Sequence, residues 1–253
     1  MNREMLINKG LAKYEMFENE FNTFFFRSIL AGLYLGVSVI FSYTLGSMLA
    51  AYYPAVIAKI AIAFTFGIGL VAIYLLGGDL FTGNCFSGIL SVYAGRTPVT
   101  KFFKMLAFCY IGNFIGMFVI CSLFVFSGVN IEYVEPYFET LMEAKKAIPA
   151  SELFIRGILA NFVVCMGSLA GSLVKTEIGK ISVMILLVAA FVLPGFEHSI
   201  ANMGIFTIGF EIAGGSLAWV PLHMFLSTTG NIIGGSILLG FPAWMMTKVS
   251  DGH

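Results

Sequence analysis

The sequence predicts an all-α membrane protein, with six transmembrane helices arranged as an inverted 3+3 repeat and with the second and fifth helices broken. Three observations carry this expectation. Hydrophobic residues fill 58% of the 253 positions and charged ones 11%, against about 25% charged in an ordinary soluble domain. The stretches Ser28 to Ala58, Met105 to Ile131 and Gly157 to Val174 hold no acidic or basic side chain, and after Glu211 the run to Thr247 is interrupted only by His223. Each is long enough to cross a bilayer core of roughly 30 Å as a helix of about 20 residues. Finally, GGDLFTGN (77–84) and GFEHSIAN (195–202) match at a separation of 118 residues. The same separation carries Asp79 to Glu197, Asn84 to Asn202, Gly112-Asn113 to Gly230-Asn231, and Gly116 to Gly234. Polar clusters repeated inside apolar segments point to duplicated, broken membrane helices around one shared site.

In chain order, residues 1–22 come first. Met5, Leu6, Leu11, Tyr14, Phe17 and Phe21 recur at helical spacing, which predicts an amphipathic helix lying on the membrane surface. The first 20 residues lack the apolar core of a cleavable signal peptide. Spanning segments follow at about 26–50, 57–94, 102–128, 152–174, 181–208 and 217–247. The first repeat covers 26–128, an outer loop 129–151 and the second repeat 152–248. As one straight helix, 57–94 would run about 57 Å, nearly twice the hydrocarbon thickness. It must break, and Gly77, Gly78 and Gly83 mark where; Pro194-Gly195 does the same in the fifth segment. Irregular backbone at membrane depth survives only where protein or a wet cavity satisfies it, so both breaks argue for a central pathway. With both termini cytoplasmic, the inner side would hold ten basic residues, Lys248 among them, and the outer side four: Lys59, Lys145, Lys146 and Arg156. That asymmetry favours this orientation. Three segments per repeat is an odd number, so the halves would insert with opposite orientation.

Chemistry concentrates at the breaks. His198 is an ionisable side chain within an apolar segment, which points to function, though a histidine bonded between helices is the plainer reading. Thr82 occupies the opposite break, where its hydroxyl could bond His198 or a passing anion, or cap the half-helix starting near Gly83. Asn84 and Asn202 read as structural residues holding the broken backbone. Asp79 and Glu197 are expected to bind free amides at the half-helix starts, with a proton relay as the sharper option. Lys145 and Lys146 end the acidic outer loop; a lysine there either attracts anions to a vestibule or is a solvated loop charge. Phe66, Leu70, Leu80 and Phe81 flank the first break, and Val164 and Phe191 belong to the second half; such rings narrow a pore or merely pack helices. Glycines spaced by four, such as Gly112 and Gly116, let helix backbones approach.

These stretches, together with KKAIPASELFIRGILANFVVC (145–165) and GNIIGG (230–235), resemble the signature stretches of the formate/nitrite transporter family, in order and over nearly the whole chain. The resemblance implies an aquaporin-like fold, a single transmembrane channel domain over 1–253, and a homopentamer in which each protomer has its own pore and membrane lipid plugs the fivefold hole. It implies that His198, Thr82 and Lys145 correspond to the family's pore histidine, loop threonine and vestibule lysine. Lys145 is taken over Lys146 because it precedes Asn161 by the family's 16 residues. A cytoplasmic-side constriction would comprise Leu70, Leu80, Phe81 and Phe191, and a periplasmic-side one Phe66 and Val164 with Asn161 nearby. The expected cargo is a small anion of a weak acid, formate or nitrite first and hydrosulfide next, in the inner (cytoplasmic) membrane.

Other classes fare worse. No nucleophile–base set, phosphate-binding loop or cofactor motif occurs, so neither an enzyme nor a cofactor is expected. Net charge is zero and no basic run suggests nucleic acid. Cys85, Cys109, Cys121 and Cys165 lie in apolar segments without metal-ligand spacing. A neutral-solute channel remains as an alternative, but it would not need Lys145 or a titrating histidine.

Overall fold

Apolar runs with few internal breakers, closed by proline or glycine, dictate a chain of helices joined by short turns. The computed structural model describes residues 3–246. Lys248 and the last two positions of the second repeat, 247 and 248, lie outside the described residues. Among the described residues every regular element is helical: α1 (Arg3–Asn19), α2 (Phe21–Tyr52), α3 (Ala55–Thr65), α4 (Gly67–Leu76), α5 (Phe81–Tyr93), α6 (Val99–Ser127), α7 (Ile131–Lys146), α8 (Ala150–Leu173), α9 (Glu177–Val192), α10 (Ser199–Ala213), α11 (Val220–Ile233) and α12 (Phe241–Met246). A 3₁₀ turn (Leu217–Trp219) precedes α11, and a π-helical stretch (Gly234–Gly240) joins it to α12. Pro54, Pro98 and Pro149 stand immediately before α3, α6 and α8 in extended conformations. A proline ends the preceding run yet is already shaped to start the next.

Among the described residues, five helical stretches are long and apolar enough to cross a membrane: Phe21–Tyr52, Ala55–Leu76, Val99–Ser127, Ala150–Leu173 and Leu217–Met246. The fifth expected segment, 181–208, is instead divided between α9 and α10. At 16 residues α9 is only about 24 Å long.

Helix association in lipid gains little from the hydrophobic effect, so close packing and buried hydrogen bonds must hold the bundle. The closest pairings, α2 with α6 and α8 with α11, use glycine. A Cβ added at Gly112 would lie 2.6 Å from Ser28 Cβ, and one at Gly230 would lie 2.5 Å from the Phe154 carbonyl oxygen. Gly230→Ala is therefore expected to prise α11 from α8 and cost about 1–3 kcal/mol. A lower melting midpoint of the purified protein in detergent checks this; an unchanged midpoint contradicts it.

The two breaks are built alike. Gly77 and Gly195 both take φ +82°, a left-handed conformation that disfavours any side chain. Gly78 N–H donates to Ile73 O, and Phe196 N–H to Phe191 O, the same six-to-one closure of a helix end. Asp79 N–H then reaches Arg27 O at 3.0 Å, and Glu197 N–H reaches Arg156 O at 3.2 Å. Asn113 accepts from Phe81 N–H (2.8 Å) and donates to Asp79 O (2.9 Å) and Ser28 O (2.7 Å). Asn231 accepts from Ser199 N–H (2.8 Å) and donates to Glu197 O (2.9 Å) and Gly157 O (2.7 Å). The offset of 118 thus holds from the breaks onward, whereas Arg27 with Arg156, and Ser28 with Gly157, give 129 for the helix that opens each half. Each break leaves backbone groups that no helix satisfies; a single buried asparagine side chain satisfies two of them and ties them to a carbonyl inside α2 or α8.

Two peripheral helices pack against the bundle. In α1, Leu6, Ile7, Gly10, Tyr14 and Phe17 are the buried face, packed on α5 and α2, while Met5 is exposed. Tyr14 donates to Gly88 O at 3.2 Å, and Arg96 grips Glu4 through both guanidinium nitrogens. The connection 129–151 holds the helix α7, which buries Val134, Phe138, Met142 and Lys145 and lies on α10 and α2.

Candidate functional site

Three cavities follow one another through the bundle. The first, about 240 Å³, opens beside α1 and is lined by Lys9, Lys13, Arg27, Tyr74, Ser87 and Ser168, with Leu70 and Leu80 at its floor. Leu70 and Leu80 also line the second, together with Leu35, Phe66, Val164, Val188, Phe191 and His198. Its volume is about 10 Å³, near the smallest space that holds one water. Phe66, Phe191 and His198 line the third as well, which reaches about 330 Å³ beside α7 and adds Lys59, Lys145, Arg156 and Glu197. Shared walls make one path: a cationic mouth, a leucine pair, a tight apolar chamber, a phenylalanine–histidine wall and a second cationic mouth. Of the six expected constriction residues, Phe191 sits with Phe66, ring centroids 6.3 Å apart and edge to face. Phe81 lines none of the three cavities; it packs against Tyr110 at 5.0 Å.

His198 lines the chamber and is bonded to Thr82, which stands behind it and lines none of the three cavities. Thr82 Oγ1 lies 2.9 Å from His198 Nε2, and His198 Nδ1 accepts from Ala201 N–H at 3.1 Å. Because Nδ1 serves as an acceptor, the ring proton belongs on Nε2, which donates to the threonine hydroxyl. His198 thus caps α10 and faces the path at the same time. Phe191 stacks on its ring at 5.8 Å and 29°. Thr82 caps nothing: α5 begins one residue earlier, at Phe81, with no side-chain cap. Its carbonyl accepts from Asn161 Nδ2 at 3.2 Å and lies 3.3 Å from Cys165 Sγ, and Asn161 Nδ2 reaches Asn231 O at 2.6 Å. Asn161 therefore stands behind the path and ties the Thr82 backbone to α11.

The carboxylates do not bind free amides, contrary to the sequence expectation; that work falls to Asn113 and Asn231. Asp79 is fully buried and pairs with Lys13 of α1 and with Arg27 Nε at 2.7 Å. Glu197 pairs with Lys145 of α7, at 3.1 Å (Oε1) and 2.8 Å (Oε2). Nor do the side chains of Asn84 and Asn202 hold backbone. Asn84 Nδ2 points to Asp79 Oδ1 at 3.5 Å, and Asn202 Nδ2 donates to Glu197 Oε2 at 2.9 Å while its Oδ1 accepts from Lys145 at 2.9 Å. The reason is geometric: one turn into each half-helix, an asparagine faces the carboxylate five residues back. Lys145 is 8% exposed, not a solvated loop charge, whereas Lys146 is exposed and lies near Glu143. A lone ammonium at that depth would cost far more than one held by a carboxylate.

Sequence reasoning passed over Lys13, Arg27 and His223. The first two are ordinary charges until the fold brings α1 and α2 to Asp79. His223, 3% exposed, lies with Nε2 3.7 Å from Glu197 Oε2; its signal was its isolation in a long uncharged run. Among the described residues no group of His, Cys, Asp and Glu is arranged to hold a metal ion. All four cysteines are buried and unbridged.

The sequence profile described as formate/nitrite transporter matches residues 3–245. The nitrite transporter NirC of Salmonella typhimurium is 30% identical over 90% of this chain and 84% of its own. A solved structure titled as an FNT family ion channel superposes with a TM-score of 0.88 at 25% identity, over 97% of this chain and 98% of that one. A pentameric formate channel with formate bound gives 0.76 at 21% identity, over 89% and 96%.

Proposed function

This chain belongs to the formate/nitrite transporter family, a family of membrane channels and transporters rather than enzymes, and on that premise we propose that it conducts small monovalent anions of weak acids. Formate and nitrite are the favoured cargo, in keeping with the names of its relatives, and hydrosulfide follows. The observation that carries the reading is the sequence of environments along the path: cationic, apolar and nearly closed, cationic. The α7 mouth is lined by Lys59, Lys145 and Arg156 against the single carboxylate of Glu197, and such a cleft concentrates anions. The chamber between repels a bare charge, since desolvation there is uncompensated. A proton taken up at the chamber wall removes that cost. His198, hydrogen-bonded to Thr82, is the group on this path that can pass or lend one. Weak binding on both sides lets the solute leave.

In this reading α9 and α10 together complete a sixth span, and the halves are inverted about the plane of the bilayer. The α7 mouth faces outward, and α1 with both termini lies on the cytoplasmic side of the cell membrane. Five copies form a ring, in keeping with the solved structure titled as a pentameric formate channel, and lipid fills its central hole.

The test is uptake of formate, nitrite and hydrosulfide into vesicles carrying the protein, beside osmotic water flux. Saturable formate or nitrite uptake above empty vesicles is expected. Water flux without anion uptake would overturn the reading in favour of a neutral-solute channel. Lys59, exposed at the α7 mouth, allows a test of attraction that spares the buried pair. Lys59→Glu is expected to slow uptake about threefold at about 10 mM salt, and hardly at all at about 150 mM, because salt screens an exposed charge. Equal slowing at both salt concentrations would contradict steering.

A further inference from the structure

Lys145 has no donor to spare. Its ammonium carries three N–H groups, and they go to Glu197 Oε1, Glu197 Oε2 and Asn202 Oδ1 at 3.1, 2.8 and 2.9 Å. It can touch an arriving anion only by abandoning one of them, and turning away from Glu197 leaves a buried carboxylate oxygen short of a partner. A replacement donor stands alongside. His223 is buried, and neither of its ring nitrogens has a hydrogen-bond partner, an unusual state for an imidazole out of contact with water. Its Nε2 lies 3.7 Å from Glu197 Oε2, so a shift of about 1 Å would bring it to hydrogen-bond distance. Phe206 and Trp219 hold the ring edge to face, at 5.1 and 5.7 Å. They fix its direction without satisfying its nitrogens.

We propose that His223 is a positioning residue for anion capture: when Lys145 turns from Glu197 toward an entering anion, His223 Nε2–H takes over the vacated oxygen. The ring needs no change of charge, because the neutral imidazole already carries the required N–H. It does not line the α7 mouth and does not touch the anion. It lowers the penalty for releasing Lys145, and so sets how tightly the mouth takes up its cargo.

The proposal rests on the anion-conducting reading, and its test separates the two. Formate uptake is measured against concentration in vesicles holding the full chain. His223→Phe keeps the aromatic packing but removes the donor. It is expected to raise the half-saturating formate concentration about fivefold, the worth of one net hydrogen bond, with a maximal rate within about twofold. His223→Asn retains a neutral N–H and should restore most of the loss. In a Lys145→Met background, His223→Phe should change nothing further, because no lysine remains to be released. A second readout needs no His223 variant. With Trp244→Phe, emission comes from Trp219 against the moving ring; formate should alter it saturably, and Lys145→Met should abolish the change. If His223→Phe raises the half-saturating concentration equally with and without Lys145, or if Trp219 emission ignores formate, the relay is overturned. If the wild-type protein shows no saturable anion uptake at all, the functional reading itself fails.

Discussion

Asn231→Leu is expected to leave little correctly assembled protein. The leucine is close in volume, so the loss would not arise from a cavity. It would arise from the two break groups that Asn231 serves, Ser199 N–H and Glu197 O, both bonded to this one side chain; its third partner, Gly157 O, lies inside α8 and keeps its helical bond. Each buried group left without a partner costs about 1–3 kcal/mol, and at membrane depth no water replaces the missing bond. Two such losses come to about 2–6 kcal/mol, a large part of the whole stability of an ordinary domain, about 5–15 kcal/mol. Asn113→Leu should do the same at the other break, where Phe81 N–H and Asp79 O are at stake. The check is the fraction that elutes as a single species in mild detergent, together with its melting midpoint. A variant that elutes and melts like the parent would show that the breaks hold themselves.

Exchanging His198 for phenylalanine should flatten the pH dependence of transport. In the wild type, anion uptake is expected to rise severalfold as pH falls, because passage through the apolar chamber needs a proton that the imidazole hands on. A phenyl ring in its place could neither give nor take a proton, so the rise should shrink to the background measured with protein-free vesicles. Phenylalanine would still stack on Phe191, but Ala201 N–H would lose its acceptor, at about 1 kcal/mol for a lost cap. His198→Asn separates the two roles. Asparagine caps helices well and carries no exchangeable charge, so stability should return while the pH profile stays flat. A steep profile in either variant would remove His198 from the proton path.

How much of this was legible beforehand depended on whether a feature is local. Both breaks are written into a few neighbouring residues, Gly77 to Asn84 and Gly195 to Asn202. The Gly-Asn pairs ending at Asn113 and Asn231 were visible as part of the repeat, but their partners lie 32 to 85 residues away, so their task was given to Asn84 and Asn202 instead. α7 was hidden because Pro136 and its glutamates obscure the spacing of Val134, Phe138 and Met142. The grip of α1 on Asp79 spans 66 residues, and nothing near Lys13 announces it. Charge partners of this kind follow from packing, and packing is what a linear pattern carries least.

Each half of the chain brings its own counter-ion. α1 leads into α2 and supplies Lys13 to Asp79; α7 leads into α8 and supplies Lys145 to Glu197. The likeness of the two breaks therefore extends to the helical arm in front of each. Two helices that would otherwise pass for unrelated appendages, one near a terminus and one in a connection, do the same electrostatic work.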